Sequence, residues 1–178
     1  MPGPAVVASW NAHPFALLAD KLPNPIRPTD DEARQLGRDL IASAAFGAIA
    51  VHHPETGAPH ATRIAIARQP DGAPLTLISD LSLHTKALTS NPNCALLLGE
   101  PGPKGDPLTH PRITLTCRAR FMRDKSLRDH YLAQHPKAAL YIDFTDFRFV
   151  AFDVVTADLN GGFGKAYQLS PADLGFDD

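Results

Sequence analysis

The chain has 178 residues, 17 Lys and Arg against 19 Asp and Glu, a net charge of -2 and 44% hydrophobic residues. That length suits one domain, able to bury about 70% of the surface its unfolded chain exposes. The near-neutral charge argues against a nucleic-acid or polybasic membrane surface, and no apolar run approaches the roughly 20 residues that cross a bilayer. The first residues, MPGPAVVASWNAHPFALLADKLP, put no basic stretch before their apolar ones. They do not read as a signal peptide, so a cytoplasmic location is expected.

In chain order, residues 1–28 are rich in Pro and Ala without a period and read as an N-terminal arm. A folded domain is expected over 29–170, with no internal repeat or boundary, and a C-terminal tail over 171–178. Thr29 and Glu32 have the Thr-x-x-Glu spacing of a capping box and open a helix with Leu36, Leu40 and Ile41 on one stripe. From Phe46 the pattern turns to β. FGAIAVHH, HATRIAIARQ and LTLISD read as strands joined by turns, the second turn carrying Asp71-Gly72. SLHTKALTSNP reads as a short helix stopped at Asn91-Pro92, and NCALLLGE as a fourth strand. RITLTCRARFM alternates cleanly, with Ile113, Leu115, Cys117, Ala119 and Phe121 on one face and Arg112, Thr114, Thr116, Arg118 and Arg120 on the other. DKSLRDHYLAQHP reads as a helix, FRFVAFDVVTADL as a last long strand and NGGFGKAYQL as a Gly-rich exit. Short connections imply antiparallel pairing, and consecutive antiparallel strands imply a barrel.

Most chemical motifs are absent. His52 and His53 are neighbours on a strand and point to opposite faces, and His130 and His135 are spaced five apart on a helix, so no metal site built by the protein is expected. Neither GxSxG nor a nucleotide-binding glycine motif occurs; GGFGK (161–165) reads as a turn with glycines for positive φ, or as a lid over a ligand. Cys94 and Cys117 sit in apolar strands without CxxC spacing and read as small buried hydrophobes.

The stretch Ser79-Asp80-Leu81-Ser82-Leu83-His84-Thr85-Lys86 is different. It sets hydroxyls and a cation around a helix start, where free N–H groups and the helix dipole favour an anion. The alternative is plain capping by Asp80 or Ser82. Arg63 lies on a strand face among Ala61, Ala65 and Ala67, which leave room for a flat ligand, and Arg112 opens the cleanest strand. Together these cations and the helix start can hold a phosphate and an electron-rich ring edge.

In this order, with LSLHTKAL…NP…ALLL, DPL…PRITL and GGFGKA, residues 30–167 resemble the pyridoxamine 5'-phosphate oxidase-like flavoproteins, nearest the haem-utilisation (HugZ-type) branch. The resemblance implies a mainly β fold with inserted helices, an antiparallel six-stranded split β-barrel of Greek-key type. It implies a homodimer with FMN at the subunit interface, acting as a flavin-dependent oxidoreductase on a small-molecule substrate. It implies FMN contacts from Arg63, the Ile64 backbone, Ser79, His84, Thr85, Lys86 and Arg112. No catalytic side chain is assigned. The chain ends KAYQLSPADLGFDD, without the Trp- and Arg-rich Arg-x-His segment of true pyridoxamine-phosphate oxidases, and no histidine follows His135 to ligate iron as in the haem-degrading relatives. Vitamin B6 oxidation is therefore not expected. The alternatives are haem binding or degradation, with His52, His53 or His110 as replacement ligand, and a non-enzymatic flavin carrier or sensor.

Overall fold

The structure is a computed structural model that describes residues 24–122, 124 and 126–176. Its strands are β1 (Ile26–Arg27), β2 (Phe46–His52), β3 (Pro59–Ala65), β4 (Ala67–Arg68), β5 (Pro74–Ser79), β6 (Asn93–Leu98), β7 (Arg112–Met122), β8 (Phe147–Asn160) and β9 (Ala166–Leu169). The α-helices are α1 (Asp31–Ser43), α2 (Leu83–Ser90), α3 (Leu127–Gln134) and α4 (Pro171–Leu174). The chain is thus mainly β with inserted helices, as expected. The sheet, however, counts nine strands and is mixed, because β1 runs parallel to β9.

Its other pairings are antiparallel and run β9–β8–β7–β6–β2–β3, while β5 pairs with both β8 and β4. The β4 strand follows β3 in sequence after Ile66 and pairs with β5. On one side β5 pairs with its sequence neighbour β4, and on the other with the first half of β8, far along the chain. Periodicity could not reveal that pairing, because all six residues of PLTLIS are apolar or small and carry no alternation.

Ile49, Leu96, Leu98, Ile113, Leu115, Phe152 and Leu159 form the main core, and Leu36, Leu40 and Ile41 of α1 belong to it or pack on it. A second core, Leu75, Leu77, Leu127, Tyr131, Ala138 and Ile142, lies beneath α3. The two cysteines face each other across β6 and β7, both buried. Burial pushes the Cys94 thiol up to about 12 and that of Cys117 higher still, which makes both inert hydrophobes.

The α1 cap lies one residue later than the sequence suggested. Asp30 caps the helix, accepting from the Ala33 N–H at 2.8 Å, while the Thr29 hydroxyl donates to the Gln168 carbonyl at 2.9 Å. Thr29 thus ties the helix start to β9. The arm expected over residues 1–28 lies outside the described residues through position 23, and its end forms β1. Residues 171–174, read as tail, form α4 with a full capping box at Ser170 and Asp173, and Leu174 is buried. GGFGK closes the β8–β9 hairpin. Gly162 and Gly164 take φ of 115° and 68°, and Phe163 stands at the tip, 96% exposed.

Candidate functional site

The polar stretch between β5 and α2 is tied by its own hydroxyls. Ser79 Oγ donates to Asp146 Oδ2 at 2.5 Å and accepts from the Leu81 N–H at 3.1 Å. Ser82 Oγ and Thr85 Oγ1 each donate to the Ser79 carbonyl at 2.7 Å. Thr85 is only 1% exposed, so its hydroxyl is spent inside the fold. The loop is also braced from β8. Arg148 pairs with Asp80 at 2.5 Å and lies 4.2 Å over the Phe121 ring, and the Asp80 N–H donates to the Asp146 carbonyl at 2.7 Å.

What remains open is the helix end itself. Ser82 occupies the N-cap position of α2, yet its side chain makes no cap bond, because its hydroxyl points back to Ser79. The N–H groups of Leu83, His84 and Thr85 therefore lack an intrahelical or capping partner. No acidic residue stands in the first turn. Lys86 is exposed and makes no ion pair among the described residues. His84 Nε2 lies 3.1 Å from Ser82 Oγ. Burial, and secondly the charge of His60, hold His84 below the ordinary histidine value. The capping alternative thus fails on geometry. The hydroxyls shape the loop, and the backbone N–H groups of the first turn and Lys86 keep no side-chain partner among the described residues.

The other named residues lie on the sheet. Ile64 is buried opposite Gly47. The Thr76 hydroxyl of β5 donates to the Ala65 carbonyl of β3 at 2.6 Å. Arg63 is exposed, has no carboxylate partner among the described residues and lies 5.1 Å over the Phe46 ring. Phe46 in turn walls a hollow of about 190 Å³ with Leu97, Gly99, His110 and Arg112. Arg112 donates to the Leu108 carbonyl at 3.0 Å. Arg63 and Arg112 therefore flank Phe46, while Ser79, His84, Thr85 and Lys86 form a separate group at α2.

Beside Arg63 the sheet's outer face is flat. One register row reads Arg63, Ala48, Leu97, Thr114, and the next reads Ala61, Ala50, Ala95, Thr116. Phe46 and Leu97 are 38% and 45% exposed there.

The histidines divide by tautomer. His110 accepts from the Gly102 N–H at 3.2 Å and lies 2.8 Å from the Lys104 carbonyl, so both nitrogens are used. His53 Nδ1 accepts from the Glu55 and Thr56 N–H groups at 3.2 and 3.4 Å. His52 Nδ1 faces the Gly57 carbonyl at 3.3 Å and must donate, which leaves Nε2 as an exposed lone pair. His130 and His135, which helical spacing assigned to different faces, both reach one stretch of backbone. They lie 2.6 Å from the Arg68 carbonyl and 2.8 Å from the Ile66 carbonyl, because His135 ends α3 in a non-helical conformation. Gln134 completes that latch on β4 from both its amide atoms. No group of three or more metal-ligating side chains occurs among the described residues.

Sequence reasoning missed Asp146 and Arg148, which hold the loop, and the aromatic segment Tyr141–Phe147 beside it. The spacing TDFRF carried an alternation that a strand start explains equally well.

A family model described as pyridoxamine 5'-phosphate oxidase matches residues 34–160. The chain belongs to this family. A curated relative, the chloroplastic non-canonical heme oxygenase HOZ of Arabidopsis thaliana, is 37% identical over 133 residues, 66% of this chain and 40% of the relative. The match thus spans well under half of that protein. One solved structure superposes with a TM-score of 0.78 at 40% identity over 83% of this chain and 98% of its own. The structure of a heme binding protein from Mycobacterium smegmatis follows at a TM-score of 0.73 and 25% identity, over 84% of this chain and 61% of its own. No described helix is long and apolar enough to cross a membrane.

Proposed function

We propose that this chain is a haem-binding protein of the haem-degrading type, holding the propionate carboxylates of haem at the start of α2. The observation that carries the proposal is the uncapped first turn of α2 beside the unpaired Lys86. Three backbone N–H groups of that turn have no side-chain cap, and neither they nor the Lys86 ammonium that follows them has an anionic partner among the described residues. The names of the Arabidopsis and mycobacterial relatives favour haem as the ligand with those carboxylates. His52 fits an iron ligand better than His53 or His110, because its Nδ1 is held by a backbone carbonyl while Nε2 stays free, as in ligating histidines generally. Haem would supply the redox-active iron; the chain's residues bind its acidic arms and orient its ring.

FMN is the second reading, favoured by the match to the pyridoxamine 5'-phosphate oxidase model. Its phosphate suits the same helix end and Lys86, with Arg63 as further cation. We read the sheet as a six-stranded split barrel, with β3 and β4 as one strand and β1 and β9 as an added edge. We further propose a homodimer through the flat face of Ala48, Ala50, Ala61, Ala95 and Leu97, which would join the α2 group of one copy to the Arg112 hollow of the other.

The test is the visible spectrum of the purified protein, followed by titration with haem and, separately, with FMN. A saturable Soret band that shifts in His52→Ala supports the haem reading. Flavin bands, with no saturable haem signal, would replace it with the second. Light scattering reads the dimer directly.

A further inference from the structure

The loop entering β8 carries an apolar ledge next to the loop that opens α2; its inner side, Tyr141 and Phe147, packs on the second core, while its outer side is open. Phe144 is 58% exposed and meets Phe147 edge to face at 6.3 Å. Phe147 is half-buried, stacks on Tyr141 at 4.9 Å and lies opposite Ser79 in the β5–β8 register. Leu81, 78% exposed, follows Asp80, whose N–H is bound to the Asp146 carbonyl. The ledge and the anion-seeking helix end are thus held by the same bonds, Ser79 to Asp146 and Asp80 to Arg148. Exposed apolar residues are ordinary when scattered, but Leu81 and Phe144 sit on two loops bonded to each other, one of which opens α2 with its uncapped N–H groups.

We propose that Leu81, Phe144 and the exposed edge of Phe147 form the docking ledge for the ring of a tetrapyrrole carrying carboxylates, whose acidic arms reach the α2 N–H groups and Lys86. This rests on the haem reading and adds the surface that selects the ring. The charge pattern chooses the occupant. Unpaired N–H groups and Lys86 beside exposed apolar side chains call for an acid joined to an apolar face, and a propionate-bearing macrocycle brings both together. An aromatic ring prefers such a macrocycle in offset or edge contact, and the Phe144–Phe147 pair already presents both an edge and a face. The isoalloxazine of FMN carries polar carbonyl and N–H edges that Leu81 and Phe144 cannot satisfy, so the ledge discriminates between the two cofactors.

The experiment uses iron-free protoporphyrin IX, whose fluorescence reports burial of the ring without any iron ligand, beside haem and FMN. The variants are Phe144→Ala, Leu81→Ser and the conservative Phe144→Leu, each checked for an unchanged melting temperature. Phe144→Ala and Leu81→Ser should each weaken protoporphyrin binding about tenfold, with Phe144→Leu recovering most of it and FMN affinity unmoved. If wild-type protein binds neither haem nor protoporphyrin, the haem reading falls and the ledge falls with it. If wild-type protein binds both and the variants bind as tightly, the ledge alone is refuted. If the variants instead convert a dimer to monomers, the patch is a contact between copies and the proposal is overturned.

Discussion

Lys86→Ala is the sharpest perturbation of the proposed site. The side chain is exposed and makes no ion pair among the described residues, so its removal breaks nothing within the fold. Folding stability should therefore change by no more than about 0.5 kcal/mol, the range typical of surface changes. A charge-assisted hydrogen bond to a bound carboxylate or phosphate contributes about 1.5–3 kcal/mol, so ligand affinity should fall about 10- to 150-fold. Arg63→Ala should act in the same direction, because its guanidinium rests on Phe46 with no carboxylate partner among the described residues. Lys104→Ala, in the exposed loop before β7, is the control for a general loss of positive charge. The assay is equilibrium titration with haem and with FMN at low and moderate salt, since an exposed anion contact weakens with ionic strength. Unchanged affinity for both ligands in both variants would refute the claim that this helix end is an anion site.

Gly99→Ala should destabilise the fold by more than about 2 kcal/mol, because φ there is 100° and the new Cβ would lie 2.6 Å from the Pro111 carbonyl oxygen. Gly57→Ala, at φ 69° with open space around it, should cost only about 1 kcal/mol; equal losses in urea unfolding would show that the collision is not felt. Asp173 is held down to about 2 by Arg34 and Ser170. A carboxyl depressed in the fold stabilises above its unfolded value, near 3.9, and that contribution disappears as pH falls through about 2. Asp173→Asn should thus lose stability at pH 7 and match the parent near pH 2; an equal gap at both pH values would refute the pairing. His60→Ala should raise the His84 titration midpoint by NMR only in part, since burial is the larger cause. A return to the ordinary histidine value would assign the shift to His60 instead.

Local chemistry carried much of this protein in the amino-acid sequence alone. The alternation of β7, the helix before β2, the Asn91-Pro92 stop and the glycine hairpin at 161–165 follow from side-chain period and backbone preference, which act over a few residues. The cluster of Ser79, His84, Thr85 and Lys86 was legible for the same reason: six of its eight residues are polar where an ordinary turn needs one or two. The role of each hydroxyl was not legible. Ser79 turned out to donate to Asp146, 67 residues away, and Ser82 to turn from the helix toward Ser79. The bond of Ser82 to Ser79, three residues back, leaves the first turn of α2 uncapped. The pairing of β5 with β8, the meeting of Cys94 with Cys117 and the convergence of His130, Gln134 and His135 on residues 66–68 likewise belong to the tertiary structure. Strand partners are chosen by which closure buries the most apolar surface, and that choice compares distant segments with one another. A sequence pattern states what each segment prefers; the competition among segments for one core decides which side chains are spent on the fold and which are left to bind.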